Sequence, residues 1–230
     1  MSASPVALFA WPPQAAVARP VAKAKIYVHA KPTAALRALF VEQVESITWA
    51  YKLAPETINL PAKPDVPEIE VFDIALKLPD VSHAVLRCID KAIPFPILFV
   101  LRFEGHSQPI AAYKRPSDAA HHQRGQVSQW VVGDYHAAPW QKDDLLRPGL
   151  PVALDLQGLY EQLLRQHFAV PARADESLRD QLDRLSLLSA KQMAAAKLES
   201  RLAQEKQFNR KVEINAQLRT IRQEIDALTN

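Results

Sequence analysis

The stretch EIEVFDIAL, residues 68–76, decides the fold of this chain. It is rich in β-forming residues and is apolar on both faces near its centre. A strand that is buried on both faces has such a near-continuous apolar run, whereas a half-buried strand alternates. Residues 68–76 therefore predict a central strand of a sheet.

The segments around this strand predict a mixed, mostly antiparallel sheet with flanking helices, which is an α+β fold. Upstream, the sequence predicts a short strand at 25–29, a helix that opens at Thr33, and a half-buried strand at 47–52. Downstream, it predicts a helix over 81–91 with Asp80 as N-cap, an apolar strand at 97–103, its hairpin partner at 109–115, and a strand at 129–135. Between the first two groups, four prolines make residues 53–67 a stiff loop.

The last third of the chain predicts helices. An apolar stripe begins after Asp155, Pro171 ends that helix, and residues 175–228 contain neither glycine nor proline. One leucine seam starts at Leu178, and a second runs from Ile214 to Leu228 with alternating spacings of four and three. This segment is predicted to be a coiled-coil-like helical segment, either as one long helix or as a hairpin of two helices.

Charge and composition divide the chain into three parts. These are an extended basic arm at 1–24, an α+β domain at 25–170, and the helical segment at 171–230. The first 41 residues hold five basic residues and no acid, whereas the whole chain has a net charge of +3. Such an arm can bind a polyanion, or it can be a solvated terminus.

Composition also excludes several classes of protein. The five glycines are scattered, so a dinucleotide or P-loop site, which needs clustered glycines, is excluded, and we expect no cofactor. The single cysteine, Cys88, fits a reducing compartment, and the apolar run at 92–101 is too short to span a membrane. The pair His121-His122 lies in a polar loop without a second ligand pair at metal spacing, so we expect no metal site. The single cysteine and the short apolar runs lead us to expect a cytoplasmic protein without membrane contacts.

Part of the predicted element order resembles the metal-dependent restriction-endonuclease core, which begins with a helix, a β-meander, a helix and a strand. That chemistry needs acids on adjacent strands to hold a divalent cation, and a lysine to stabilise developing charge. The candidates are Glu45, Glu70, Asp73 and Lys52. Neither Glu68 nor Glu70 is followed two residues later by lysine, so the pattern is incomplete. The competing interpretation is that Glu68, Glu70 and Asp73 are solvent-side strand residues.

Two further groups are candidates for binding macromolecules. Lys52, Lys114 and Arg115 lie next to aromatic residues near strand ends, a pattern typical of nucleic-acid contacts and also of ordinary rim residues. The peptide 205–215 interrupts the leucine seam with Phe208, Asn209 and Asn215, and its candidate docking residues are Phe208, Asn209 and Arg210. They predict a specific docking face for a partner, or else a polar interruption that sets helix register.

Six stretches distributed along the chain together resemble one known family. They are ITWAYKLAPETINLP (47–61), EIEVFDIALK (68–77), IDKAIPFPILF (89–99), AAYKR (111–115), LPVALDLQGLYEQLL (150–164) and EKQFNRKVEIN (205–215). The family is the bacterial and archaeal domain-of-unknown-function family numbered 4391. The resemblance covers nearly all of the chain after about residue 19.

The resemblance implies genes that lie beside DNA methyltransferases, helicases and restriction-like subunits. We therefore expect a non-enzymatic accessory or scaffold protein of a phage-defence or restriction–modification-like system. It would contact DNA, a helicase or a DNA methyltransferase, and its C-terminal helices would dock onto the partner or pair with a second copy. The alternative function is a divergent metal-dependent nuclease of the restriction-endonuclease type.

Overall fold

The computed structural model describes residues 8–117 and 130–230. The chain forms two compact units, Met1–Phe168, which we call the α+β unit, and Ala169–Asn230, which we call the helical unit. The α+β unit is built around one sheet. Its strands in the described residues are Ala16–Pro20 (β1), Val44–Leu53 (β2), Ile69–Leu76 (β3), Ile97–Phe103 (β4), His106–Pro116 (β5), Trp130–Ala137 (β6) and Gln141–Lys142 (β7).

The strands follow one another across the sheet in the order β1 to β6, and β7 pairs with β5. β3 and β4 are parallel, and the other neighbouring pairs are antiparallel. The predicted central strand is thus confirmed as β3, which has β2 on one side and β4 on the other. The β4–β5 hairpin closes through Glu104 and Gly105, both with positive φ, as a two-residue turn between right-twisted strands requires.

Helices cover both faces of this sheet. In the described residues they are Lys23–Ala30 (α1), Ala34–Gln43 (α2), Pro55–Ile58 (α3), His83–Ala92 (α4) and Leu156–Arg165 (α5). The main core joins Phe72 and Ile74 of β3 to residues of α1, α2 and α4. Because side chains alternate along a strand, Leu98 and Val100 of β4 face the opposite side, where α5 packs.

The N-terminal segment differs from the prediction. Within the predicted arm, residues 16–20 are the edge strand β1, and Leu8, Phe9 and Ala15 are buried. This part of the arm therefore belongs to the α+β unit. The strand predicted at 25–29 is wrong, since those residues lie in α1, where Ile26 is buried in the main core. Tertiary packing of one apolar side outweighs the β-propensity of this short stretch.

Lysine side chains from other elements close the C-terminal end of α2. The Lys23 Nζ donates to the carbonyl oxygens of Phe40 at 3.0 Å and Val44 at 2.6 Å. The Lys77 Nζ donates to the carbonyl of Val41 at 2.8 Å. The last carbonyls of a helix lack partners within it, and they carry the negative end of its dipole, so cations stabilise them. Lys23 and Lys77 therefore stabilise the C-terminal end of α2.

Helix starts were predicted more closely than strand ends. The predicted helix at 81–91 is α4, although Ser82 rather than Asp80 accepts a hydrogen bond from the first turn, from the amide of Ala84. Asp155 caps α5 by accepting from the Gly158 amide at 2.8 Å, and the predicted apolar stripe of α5 is buried.

The histidine pair His121-His122 lies outside the described residues.

The helical unit contains Leu178–Gln204 (α6) and Phe208–Thr229 (α7). Of the two predicted alternatives, the hairpin of two helices is therefore the observed one. The seam predicted from Ile214 to Leu228 is confirmed as the packing side of α7, since Ile214 and Leu218 are buried against Ala195 and Leu198 of α6.

Candidate functional site

The turn between α6 and α7 is built by one glutamate. The Glu205 Oε1 accepts hydrogen bonds from the amides of Lys206 and Gln207, each at 2.8 Å. These contacts lower the pKa of the Glu205 carboxyl, and they satisfy amides at the start of α7. A carboxylate at this end of a helix also complements its dipole. We call residues 205–212 the hairpin tip.

Ion pairs and apolar contacts hold the two helices of the hairpin together. Lys191 and Glu224 lie 2.7 Å apart, and Arg222 and Glu199 lie 2.8 Å apart. At the other end of the hairpin, Arg184 donates to the carbonyl of Leu228 at 2.8 Å and pairs with Glu176 at 2.7 Å. The Arg184 guanidinium holds the pKa of Glu176 low, at about 2. The hairpin is therefore fixed at several levels along its length.

Large apolar side chains are exposed at the hairpin tip. Phe208 is 77% exposed, and Val212, one turn later, is 53% exposed. Because residues four apart share one side of a helix, these two side chains form a continuous apolar surface. An exposed phenylalanine in the first turn of a helix contributes little to folding, so its apolar area is available for a contact.

The structure separates the three residues predicted to dock a partner. Phe208, Asn209 and Arg210 are all exposed. Successive helix residues are rotated by about 100°, so Asn209 and Arg210 point away from the side that carries Phe208. Asn215 is also exposed, and its side-chain amide donates to the Lys211 carbonyl at 3.0 Å. The alternative in which these asparagines set register from a buried seam is therefore wrong.

The predicted nucleic-acid contacts fall in unlike environments. Lys114 is 1% exposed, and its Nζ donates to the carbonyls of Asp90 and Ile93 at 2.7 and 2.6 Å. The prediction of Lys114 as a surface residue is therefore wrong, because this cation closes the end of α4 from inside the core. Arg115 is half-buried and donates to the Pro116 carbonyl at 3.1 Å.

Lys52 lies in a cluster of carboxyl groups. Its Nζ is 2.9 Å from both Glu56 and Glu68, and these contacts raise the lysine pKa. Beside it, Glu70 is 3% exposed and accepts a hydrogen bond from the Trp49 indole nitrogen. Burial, followed by a hydrogen bond with Glu68, raises the pKa of Glu70 to about 8. Glu70 is thus not the solvent-side residue of the competing interpretation.

The four predicted nuclease residues do not meet at one place, although Lys52 and Glu70 are neighbours across β2 and β3. Glu70 lies on the same side of β3 as Phe72, and Asp73 lies on the opposite side, because side chains alternate along a strand. Asp73 instead accepts from Arg102, with both the Nε and Nη2 atoms at 2.9 Å. Glu45 is exposed near the start of β2, where the register of pairing with β3 shifts. In the part of the chain that the structure describes, no group of three potential metal ligands is gathered.

Several buried polar residues were not identified from the sequence. Asp90 accepts from Tyr135 and from Lys114, whose Nζ lies 3.3 Å from its Oδ1. Arg87 donates to the carbonyls of Val132 and Gly133 at 2.9 and 3.0 Å. These contacts join α4 to β5 and β6, and no local motif predicts them because the partners are far apart in sequence.

Comparisons with known proteins place the whole chain in one family. No curated protein and no solved structure was found to match the chain. None of the helices in the described ranges is long and apolar enough to cross a membrane. The family model described as "Domain of unknown function (DUF4391)" matches residues 9–225, which is nearly the full length. The chain therefore belongs to the DUF4391 family, as the six sequence stretches indicated.

Proposed function

We propose that this protein is a non-enzymatic accessory protein that binds a partner protein through its hairpin tip. The family resemblance implies a phage-defence or restriction–modification-like system, and it implies a helicase or a DNA methyltransferase as the partner. In this proposal the α+β unit is a stable platform, and the α6–α7 hairpin, packed as an antiparallel coiled coil, presents the docking residues.

The exposure of Phe208, with Val212 one turn later, carries the proposal. Full burial of a phenylalanine is worth about 1.5–3 kcal/mol, and at 77% exposure most of that free energy is not used in folding. Exposed aromatic side chains are the usual anchors of protein interfaces, where they fill pockets on the partner. Two hydrogen bonds to Glu205 shape the turn that precedes this anchor.

The polar residues that were predicted as site residues make hydrogen bonds and ion pairs within the α+β unit. Lys114 donates to helix carbonyls, Asp73 is held by Arg102, and Lys52 lies between two glutamates. Each of these contacts stabilises the α+β unit, and each occupies a group that catalysis or phosphate binding would need. Binding of DNA by Lys52 or Arg115 stays a prediction from the sequence.

The test is co-expression of the tagged protein with a helicase and a DNA methyltransferase from its own locus, followed by co-purification. We expect one of these enzymes to co-purify with the wild-type chain and to be lost with Phe208→Asp. The matched control is Met193→Asp, which changes another exposed apolar residue of the helical unit, 67% exposed on α6. Retention of the complex by Phe208→Asp, or an equal loss with both variants, would contradict docking through the tip.

A further inference from the structure

The apolar pair at the hairpin tip continues along α7 as a defined surface. Phe208, Val212, Asn215 and Arg219 follow one another at spacings of four, three and four residues, and all four are exposed. At about 100° per residue, they fall within an arc of about 60° on one side of the helix. We call these four residues the α7 outer face, and it is about 16 Å long at about 1.5 Å per residue.

Positive charge borders this face. Lys211 lies three residues after Phe208 and is exposed, and Arg219 lies on the face itself. Two nearby acids are already engaged, since Glu205 accepts from the two amides that precede α7 and Glu199 pairs with Arg222. Glu213 is exposed but lies about 100° around the helix from Val212. The α7 outer face is therefore apolar at its start and cationic along its side and end.

We infer that the α7 outer face binds an apolar groove of a partner protein whose rim carries carboxylates. This inference rests on the proposed function and adds the chemistry of the partner surface. Phe208 and Val212 would enter the groove, as the anchors of an amphipathic helix do at spacings of four and three residues. Carboxylates of the partner would then meet Lys211 and Arg219, and the guanidinium can hold a carboxylate through two hydrogen bonds.

The composition of the face favours a protein over a nucleic acid. Single-stranded nucleic acids are bound by aromatic side chains that stack on successive bases, beside cations that contact phosphates. Only Phe208 on this face is aromatic, and the branched aliphatic side chain of Val212 offers no ring for a second base. An apolar pocket of a protein accepts both side chains.

The test compares charge reversals on the complex isolated by co-expression. We expect Lys211→Glu and Arg219→Glu each to weaken the affinity for the helicase or methyltransferase about tenfold, and raising the salt concentration to weaken the wild-type complex. The matched control is Arg210→Glu, because Arg210 is exposed on the same helix but points about 160° away from Phe208. We expect this control to bind like the wild type.

These experiments distinguish a failure of the inference about the acidic rim from a failure of the proposed function. If both charge reversals bind like the wild type while Phe208→Asp abolishes the complex, docking stands and the acidic rim is wrong. If Lys211→Glu and Arg219→Glu instead abolish binding to a labelled single-stranded oligonucleotide and leave the protein complex intact, the face binds nucleic acid and the inference is overturned. If the wild-type chain binds neither enzyme, the proposed function fails and the inference fails with it.

Discussion

Lys114 and Asp90 form an ion pair inside the α+β unit, with the Nζ 3.3 Å from the Oδ1 and the two side chains 0% and 3% exposed. Burial lowers the pKa of the lysine and raises that of the aspartate, and each partner opposes the shift of the other. The pair joins the end of α4 to β5, and Tyr135 donates to the same carboxylate. Lys114, a predicted nucleic-acid contact, is thus part of the core.

Loss of Lys114 should destabilise the protein. Lys114→Ala leaves Asp90 without its cation, and breaking a buried pair in this way costs about 3–5 kcal/mol. We expect a decrease of that size in the free energy of unfolding, measured by urea denaturation, and almost no change for the exposed Lys25→Ala. A Lys114→Ala protein of normal stability that has lost DNA binding would support the original surface interpretation.

Glu70 should make stability depend on pH. Its pKa is about 8 in the folded protein, above the ordinary value of 4.5, so the folded state holds a proton that the unfolded state releases. The contribution of Glu70 is full below about pH 4.5 and is lost as the pH rises towards 8. Glu70→Gln, which resembles the protonated form, should therefore gain about 3–4 kcal/mol over the wild type at pH 9 relative to pH 5, because each pKa unit corresponds to about 1.4 kcal/mol.

Urea denaturation of both proteins across this pH range checks the prediction. Glu42→Gln, at an exposed position on α2, is the control and should follow the wild-type pH dependence. Parallel curves for Glu70→Gln and the wild type would mean that Glu70 is ionised in the folded state.

Two substitutions in α7 should differ in their effects on stability. Leu218 is buried in the hairpin, so Leu218→Ala should cost about 2–4 kcal/mol through lost contacts and a cavity. Phe208 is mostly exposed, so Phe208→Ala should change the unfolding free energy by less than about 0.5 kcal/mol. Urea denaturation measures both, and a large loss with Phe208→Ala would show that this ring is packed in solution.

The purified protein should not cut DNA. Glu70 and Asp73 lie on opposite sides of β3, so they cannot hold one cation between them. We expect supercoiled plasmid to stay intact with Mg²⁺ or Mn²⁺ present. Nicking by the wild type that disappears with Glu70→Ala would support the alternative nuclease function.

The sequence predicted those elements in which the buried residues recur at the regular spacing of a helix or a strand. The apolar stripe after Asp155 gave α5, the two apolar runs around Gly105 gave the β4–β5 hairpin, and the spacing from Ile214 to Leu228 gave the packing side of α7. These features depend on neighbours within a few residues, which a sequence displays directly.

Long-range contacts decided the features that the sequence did not predict. Residues 25–29 have β-forming side chains, yet Ile26 packs in a helix against the main core. Lys114 lies between a tyrosine and an arginine, a pattern that predicted a nucleic-acid contact, yet its amine reaches carbonyls more than twenty residues away. The turn at Glu205 was also hidden, because glutamate favours helices and ends α6 only through its contacts with the next two amides.

The closure of α2 by Lys23 and Lys77 has a consequence for deletion mapping of the amino terminus. Removing residues 1–31 would delete Lys23 together with an edge strand, and it would leave carbonyls at the end of α2 without donors. Any loss of polyanion binding in such a deletion would mix a folding defect with a lost contact. Charge-neutralising changes at the exposed Arg19, Lys25 and Lys31 separate the two effects, because they leave that closure in place.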